Sequence, residues 1–201
     1  MGRYTGPICR LCRREGVQLC NKHKCASVKR NFPPGMHGKD THGKKSDYNK
    51  QLREKQKARR IFGISEKQMQ KYYDKATASK EESGAQLVRQ MEYRFDNIVF
   101  RSGIATTRRQ ARQFVAHGLL SLNGKRINVP SVQLKEGDTF EVRAKNKSMP
   151  LFVGFDKRKF ITPKWLSLDA AQLSGKVIGK AEKEDLEPFI VPEMIIEFYS
   201  R

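Results

Sequence analysis

Residues 93–143, YRFDNIVFRSGIATTRRQARQFVAHGLLSLNGKRINVPSVQLKEGDTFEVR, hold two helical patterns and two strand patterns within one short span. Phe95, Ile98 and Val99 recur at i, i+3 and i+4 and line one helix face, with Arg94, Asn97 and Arg101 on the other faces, and Gly103 stops the helix. Thr107 with Gln110 forms a capping box, which predicts a second helix over 108–117 ending at Gly118. Ala111, Phe114 and Val115 form its apolar stripe; Arg108, Arg109 and Arg112 crowd its first turn and a half. Guanidinium groups there oppose the helix macrodipole unless an anion neutralises them, so the local conflict points to function. Asn123-Gly124 between Leu120-Ser121-Leu122 and Arg126-Ile127 suits the left-handed turn of a tight hairpin, and Glu136-Gly137-Asp138 turns into a strand over 139–143. The span is a small α+β unit presenting an arginine-bearing helix beside a hairpin. A phosphate backbone suits that helix better than bulk solvent does.

The whole chain has 201 residues and a net charge of +20, enough for one or two small domains and a composition that favours a polyanionic partner. The charge is uneven: residues 1–63 hold 17 Lys/Arg against 4 Asp/Glu, residues 144–201 only 10 against 8. A membrane-surface role would pair such charge with a large apolar helix face, which the basic N-terminal segment lacks. No apolar run approaches the ~18 residues of a membrane span, and no secretory h-region opens the chain. The expected location is therefore the cytoplasm, where thiols stay reduced and four cysteines serve as ligands or stay free.

Cys9, Cys12, Cys20 and Cys25 follow the order Cys-x2-Cys, seven residues, Cys-x4-Cys. Two close pairs can close one tetrahedral site, and metal binding would supply folding energy that so short and charged a segment cannot draw from packing. Zinc fits best, with an iron–sulfur cluster or no metal as the alternatives, and His23 is a possible replacement ligand. Next, the Pro33-Pro34-Gly35 loop needs something to hold it, and 39–45 is a Gly/Lys-rich linker or contact loop. Ser46 or Asp47 caps a helix over 48–62 that ends at Gly63; its basic side chains, Arg53, Lys57, Arg59 and Arg60 among them, cover most of its circumference. Ser65 and Gln68 open another helix, and a third is predicted over 84–94. Three short helices leave too little apolar surface, so the apolar C-terminal stretch Ile195, Ile196, Phe198, Tyr199 is expected to return and pack on them. Residues 165–168 and 177–178 read as two short strands that could extend the central sheet.

At the residues quoted from Arg94 to Ile127 the chain resembles the S-four RNA-binding module, named after the fourth small-subunit ribosomal protein and found also on pseudouridine synthases and tyrosyl-tRNA synthetases. With MGRYTGPICRLCRREG, PPGMHG, SDYNKQLREKQKARRIFGI, WLSLD and the terminal IIEFYSR, the resemblance extends to the bacterial family of that ribosomal protein along nearly the whole chain. It implies an α+β protein with a basic, cysteine-bearing arm over 1–45, a helical domain over 46–92 completed by 186–201, and the RNA-binding domain with a small antiparallel sheet over 93–185. It implies a structural role: primary binding of 16S ribosomal RNA, nucleation of the small-subunit body, contacts with the fifth small-subunit protein and with proteins around the opening for messenger RNA, and an influence on translational accuracy. In some members it implies repression of their own messenger, and in some a zinc or iron–sulfur site on four N-terminal cysteines.

The residues expected at RNA are Arg3, Tyr4, Arg10, Arg13 and Arg14 in the arm, Arg53, Lys57, Arg59 and Arg60 on the long helix, and Arg94, Arg101, Arg108, Arg109, Arg112 and Lys125 in the module; Lys39, Lys44 and Lys45 are expected near messenger RNA. Arginine predominates, which suits bidentate phosphate contact and stacking on bases. Binding by these groups releases condensed counterions, and rigid shape supplies selectivity, because A-form duplex hides its sequence in a deep groove. An enzyme carrying this module would need a catalytic domain; about fifty residues on either side of it show no phosphate loop or paired catalytic groups, so no enzymatic activity is expected.

Overall fold

A computed structural model describes residues 4–20, 24–40, 46–153, 155, 162–182 and 185–201. The chain forms two compact units, Met1–Val88 with Glu187–Arg201, and Arg89–Leu186.

In the first unit, α1 (Ile8–Glu15) and the single-turn α2 (Ala26–Lys29) carry the cysteines. They precede α3 (Asp47–Phe62), α4 (Glu66–Thr77) and most of α5 (Ser83–Glu92). Both predicted caps form: Ser46 Oγ accepts from the Asn49 N–H and Ser65 Oγ from the Gln68 N–H, each at 3.3 Å. Gly63, at φ 62°, ends α3 in the left-handed conformation that glycine adopts without Cβ strain. The C-terminal α8 (Pro192–Tyr199) returns as expected. It buries Ile195 completely, stacks Phe198 on Tyr48 (5.7 Å) and Tyr199 on Tyr73 (5.0 Å), and accepts a hydrogen bond from Gln51 Nε2 at Glu197 Oε2 (2.7 Å).

Tyr199 also donates to Glu66 Oε1 at 2.5 Å, beside Lys55 at 2.9 Å. Burial pushes the Glu66 carboxyl up, but hydrogen bonds from Tyr199 and Lys55 and the charges of Lys55 and Arg59 outweigh it and hold the group below the usual glutamate range. A depressed carboxyl stabilises the fold above its unfolded-state pKa and stops doing so as the pH falls through the folded value. Tyr199→Phe should therefore lower the urea midpoint of this unit at pH 7 by the equivalent of about 1 kcal/mol. The deficit should shrink in acid, where the parent protonates Glu66; a deficit equal at pH 7 and pH 3 would remove the charged acceptor from the account.

The second unit places α6 (Phe95–Arg101) and α7 (Arg108–Ala116) with a five-stranded antiparallel sheet in the order β2-β1-β3-β5-β4. The strands are β1 (Leu120–Leu122), β2 (Lys125–Arg126), β3 (Thr139–Val142), β4 (Leu166–Asp169) and β5 (Ser174–Val177). Asn123 (φ 48°) and Gly124 (φ 77°) make the predicted left-handed turn, and β4 and β5 extend the sheet as expected, although β5 runs over Ser174–Val177 where the sequence suggested 177–178. Phe95, Ile98, Val99, Phe114, Phe140 and Trp165 share one buried core. In it Phe140 on β3 faces Gly175 on β5, where an added Cβ would lie 2.4 Å from the ring. The Phe95 and Leu134 N–H groups donate to the carbonyls of Val132 and Tyr93, which ties 132–134 to the start of α6.

Candidate nucleic-acid interface

Thr107 Oγ1 accepts from the Gln110 N–H at 3.2 Å, so α7 starts where the capping box puts it. The reciprocal bond is shifted by one residue: Gln110 Oε1 accepts from the N–H and hydroxyl of Thr106 (2.8 and 2.7 Å). No acidic residue occupies the first turn of α7, which leaves Arg108, Arg109 and Arg112 against the positive end of the helix. Arg109 is exposed, and Lys125 and Arg126 lie exposed on β2. Arg126 was not among the residues expected at RNA, yet an added Cβ at Gly118, just past α7, would meet its Nε at 2.5 Å. The signal was its place beside Lys125 in the hairpin.

Beneath these groups lies a buried polar layer. Glu92 is wholly buried; its Oε1 accepts from Arg101 Nη2 (2.6 Å), and its Oε2 from Arg101 Nε (3.0 Å) and Asn97 Nδ2 (2.5 Å). Asn97 turns its Oδ1 to Arg108 Nε at 2.8 Å, and the Arg108 guanidinium lies 4.5 Å from the centre of the Phe100 ring. Asp96 accepts from Arg94 Nε (3.0 Å) and Nη2 (2.9 Å) and from Arg112 Nη1 (3.2 Å).

Arg94 therefore requires a correction. It is 1% exposed and closes its fork on Asp96, so within this unit it braces the fold. The signal was Asp96 two residues on, close enough for a bidentate pair.

On α3 the expected basic surface is largely engaged within the protein. Arg53 and Arg60 converge on Glu15 at the end of α1, Arg59 pairs with Glu66 (2.6 Å) and Lys57 with Glu54 (2.8 Å). Burial pushes the Glu15 carboxyl up despite Arg60 and Arg53 beside it, and burial likewise lowers the Arg60 guanidinium. On α1, Arg10 and Arg14 are exposed. Arg13 is spent on the Pro-Pro-Gly loop: its Nε donates to the Phe32 carbonyl (3.0 Å), its Nη2 to that of Pro33 (3.1 Å), and it stacks 4.6 Å from the Phe32 ring centre. This is what holds that loop. Tyr4 is exposed and donates to the Pro7 carbonyl at 3.3 Å, and Lys39 is exposed near Phe32. Arg3, His23, Lys44 and Lys45 lie outside the described residues.

The cysteines come together. Cys9 and Cys12 sit one turn apart on α1, the chain reverses at Gly16 (φ 68°), and Cys25 precedes α2. The sulfurs of Cys9, Cys20 and Cys25 all lie within 4.8 Å of one another. Cys12 is fully buried in the same cluster, hydrogen-bonded to Cys20 and Cys25. Burial pushes the Cys25 thiol up, but bonds from the Ser27 hydroxyl (3.1 Å) and N–H and from Cys20 and Cys12 outweigh it and bring the group to about 7. At Cys12, burial wins over the backbone bonds of Leu19 and Cys20, and the thiol is raised. A tetrahedral site with metal–sulfur bonds near 2.3 Å needs sulfurs about 3.8 Å apart, and the trio of Cys9, Cys20 and Cys25 is close enough to hold a metal ion.

Residues 3–92 match the family described as ribosomal protein S4/S9 N-terminal domain, and residues 94–140 match the S4 domain. Proteins named small ribosomal subunit protein uS4 align with the full length of this chain and over their own full length. The one from Acidobacterium capsulatum is 47% identical, that from Heliobacterium modesticaldum 46% and that from Thermus thermophilus 43%. No helix among the described residues is long and apolar enough to cross a membrane. With both family domains matched in order and identity sustained from end to end, the chain belongs to the uS4 family of small ribosomal subunit proteins.

Proposed function

We propose that this chain is a structural, non-enzymatic component of the small ribosomal subunit in the cytoplasm, one that binds 16S ribosomal RNA through several backbones at once and nucleates folding of the subunit body. The observation that carries this reading is α7: guanidinium groups crowd a helix start that has no acidic residue in its first turn, while β2 of the same unit exposes Lys125 and Arg126. Phosphate relieves the electrostatic conflict, and the counterions it sheds supply most of the affinity. Family kinship supports contacts with the fifth small-subunit protein and with messenger RNA where it enters the subunit; Lys39, exposed beside Phe32, is a candidate for the latter. Zinc held by Cys9, Cys12, Cys20 and Cys25 would lock α1 to α2 and with them the arm residues Arg10 and Arg14. When bound, the metal supplies folding energy and no chemistry of turnover.

The test is a salt titration of binding to a 16S rRNA transcript. Arg109→Ala with Arg112→Ala should weaken binding and flatten the plot of log K against log salt by about one for each phosphate that the variant no longer neutralises. A slope unchanged from the parent would take these side chains out of the interface.

A further inference from the structure

We infer that Glu92 and Asn97, which are sealed from solvent and cannot touch RNA, are positioning residues that aim Arg101 and Arg108 at the rRNA backbone and thereby set selectivity for the folded RNA. This rests on the proposed RNA-binding role of α6 and α7.

Glu92 takes Arg101 side-on through Nε and Nη2 (3.0 and 2.6 Å), which fixes the plane of that guanidinium as well as its position. The same carboxylate orients the Asn97 amide, whose Nδ2 donates to Glu92 Oε2 (2.5 Å) and to the Glu92 carbonyl (3.0 Å). With Nδ2 so committed, Oδ1 is left to face Arg108 Nε at 2.8 Å, while the Phe100 ring supports the guanidinium from below. One buried carboxylate thus governs two arginines seven residues apart in sequence. Each arginine carries about 2 kcal/mol of rotamer entropy; held this way, much of it is lost on folding instead of on binding.

Simple charge complementarity argues against such a residue. A buried carboxylate bears a desolvation cost and subtracts a positive charge from a face meant for phosphate. Orientation is what it contributes, and orientation distinguishes one RNA shape from another, whereas net charge does not.

The two views predict opposite signs. Glu92→Gln keeps the shape of the side chain and makes the protein one unit more positive. If Glu92 positions the arginines, the full-length variant should bind a 16S rRNA transcript roughly tenfold more weakly, the loss of about one charge-assisted hydrogen bond. Its binding to a mixed-sequence RNA duplex should stay equal or tighten slightly, and the salt slope on the transcript should be unchanged. Asn97→Ala should show the same loss of preference, because it frees Arg108 and removes one donor from the Glu92 oxygen that Arg101 shares. Equal or tighter binding of Glu92→Gln to both RNAs would overturn the inference. A parent protein that does not prefer the transcript over the duplex would instead overturn the RNA-binding reading itself. Emission from Trp165 checks that each variant folds, and a readout on the unaltered protein covers the case in which neither does. The Nε–H groups of Arg101 and Arg108 should be as rigid as the backbone by nuclear magnetic relaxation in the absence of RNA. Fast averaging of both would refute the positioning role.

Discussion

Arg94→Ala is expected to cost the Arg89–Leu186 unit about 3–5 kcal/mol of stability, a large part of the about 5–15 kcal/mol by which such a domain is stable. The substitution removes a bidentate partner from Asp96 and leaves a carboxylate that is only 5% exposed with the single bond from Arg112 at 3.2 Å. It also empties the space of one of the largest fully buried side chains in the protein. Trp165 is the only tryptophan in the chain and is buried in this unit, so its fluorescence in urea follows the loss directly. Should Arg94→Ala unfold at the parent's urea concentration yet bind rRNA weakly, the guanidinium belongs to the interface and not to the fold.

Removal of the proposed zinc has the other large expected effect. Structural zinc in small sites is worth about 10–16 kcal/mol of apparent binding free energy at pH 7, far more than a segment with three buried sulfurs and two short helices can draw from packing. Native mass spectrometry of the reduced protein should show one zinc per chain. Cys20→Ser or a strong chelator should abolish it and melt α1 and α2. The consequence reaches further: Glu15 ends α1 and receives Arg53 and Arg60 of α3, and Arg13 of α1 holds the carbonyls of Phe32 and Pro33. Loss of α1 should therefore loosen the 32–38 loop and release two cations on α3, read as faster amide exchange over 26–38. A protein with four reduced cysteines, no bound metal and protected amides throughout this region would defeat the site.

The elements legible in the sequence were those fixed by local chemistry. Ser46, Ser65 and Thr107 cap the helices they were expected to cap, Gly63 and Gly118 end them, and Asn123-Gly124 turns the hairpin, because each device acts within four residues. The return of α8 was legible for a different reason: the helices over 46–92 lacked apolar surface and Ile195, Phe198 and Tyr199 had surface to bury. The helix at 8–15 was not expected, because its cysteines suggest a metal site before they suggest a helix face, although Ile8, Leu11 and Cys12 lie on one side and Gly16 marks the stop. Pairings across the chain could not be read at all. Nothing near Arg53 or Arg60 in sequence says that Glu15, 38 and 45 residues away, will neutralise them. Composition counts cations without saying which are already matched. The same limit hid the Glu92–Asn97–Arg108 relay, in which an amide decides what an arginine does.

The sheet ends at one side in β2, two residues long and made of one lysine and one arginine. An unpaired strand edge invites a neighbour's backbone to add to it, and brevity and like charge are the usual defences. A second copy of this chain carries the same +20 overall. Two copies brought together edge to edge at β2 would set like charges against each other, which disfavours strand addition there.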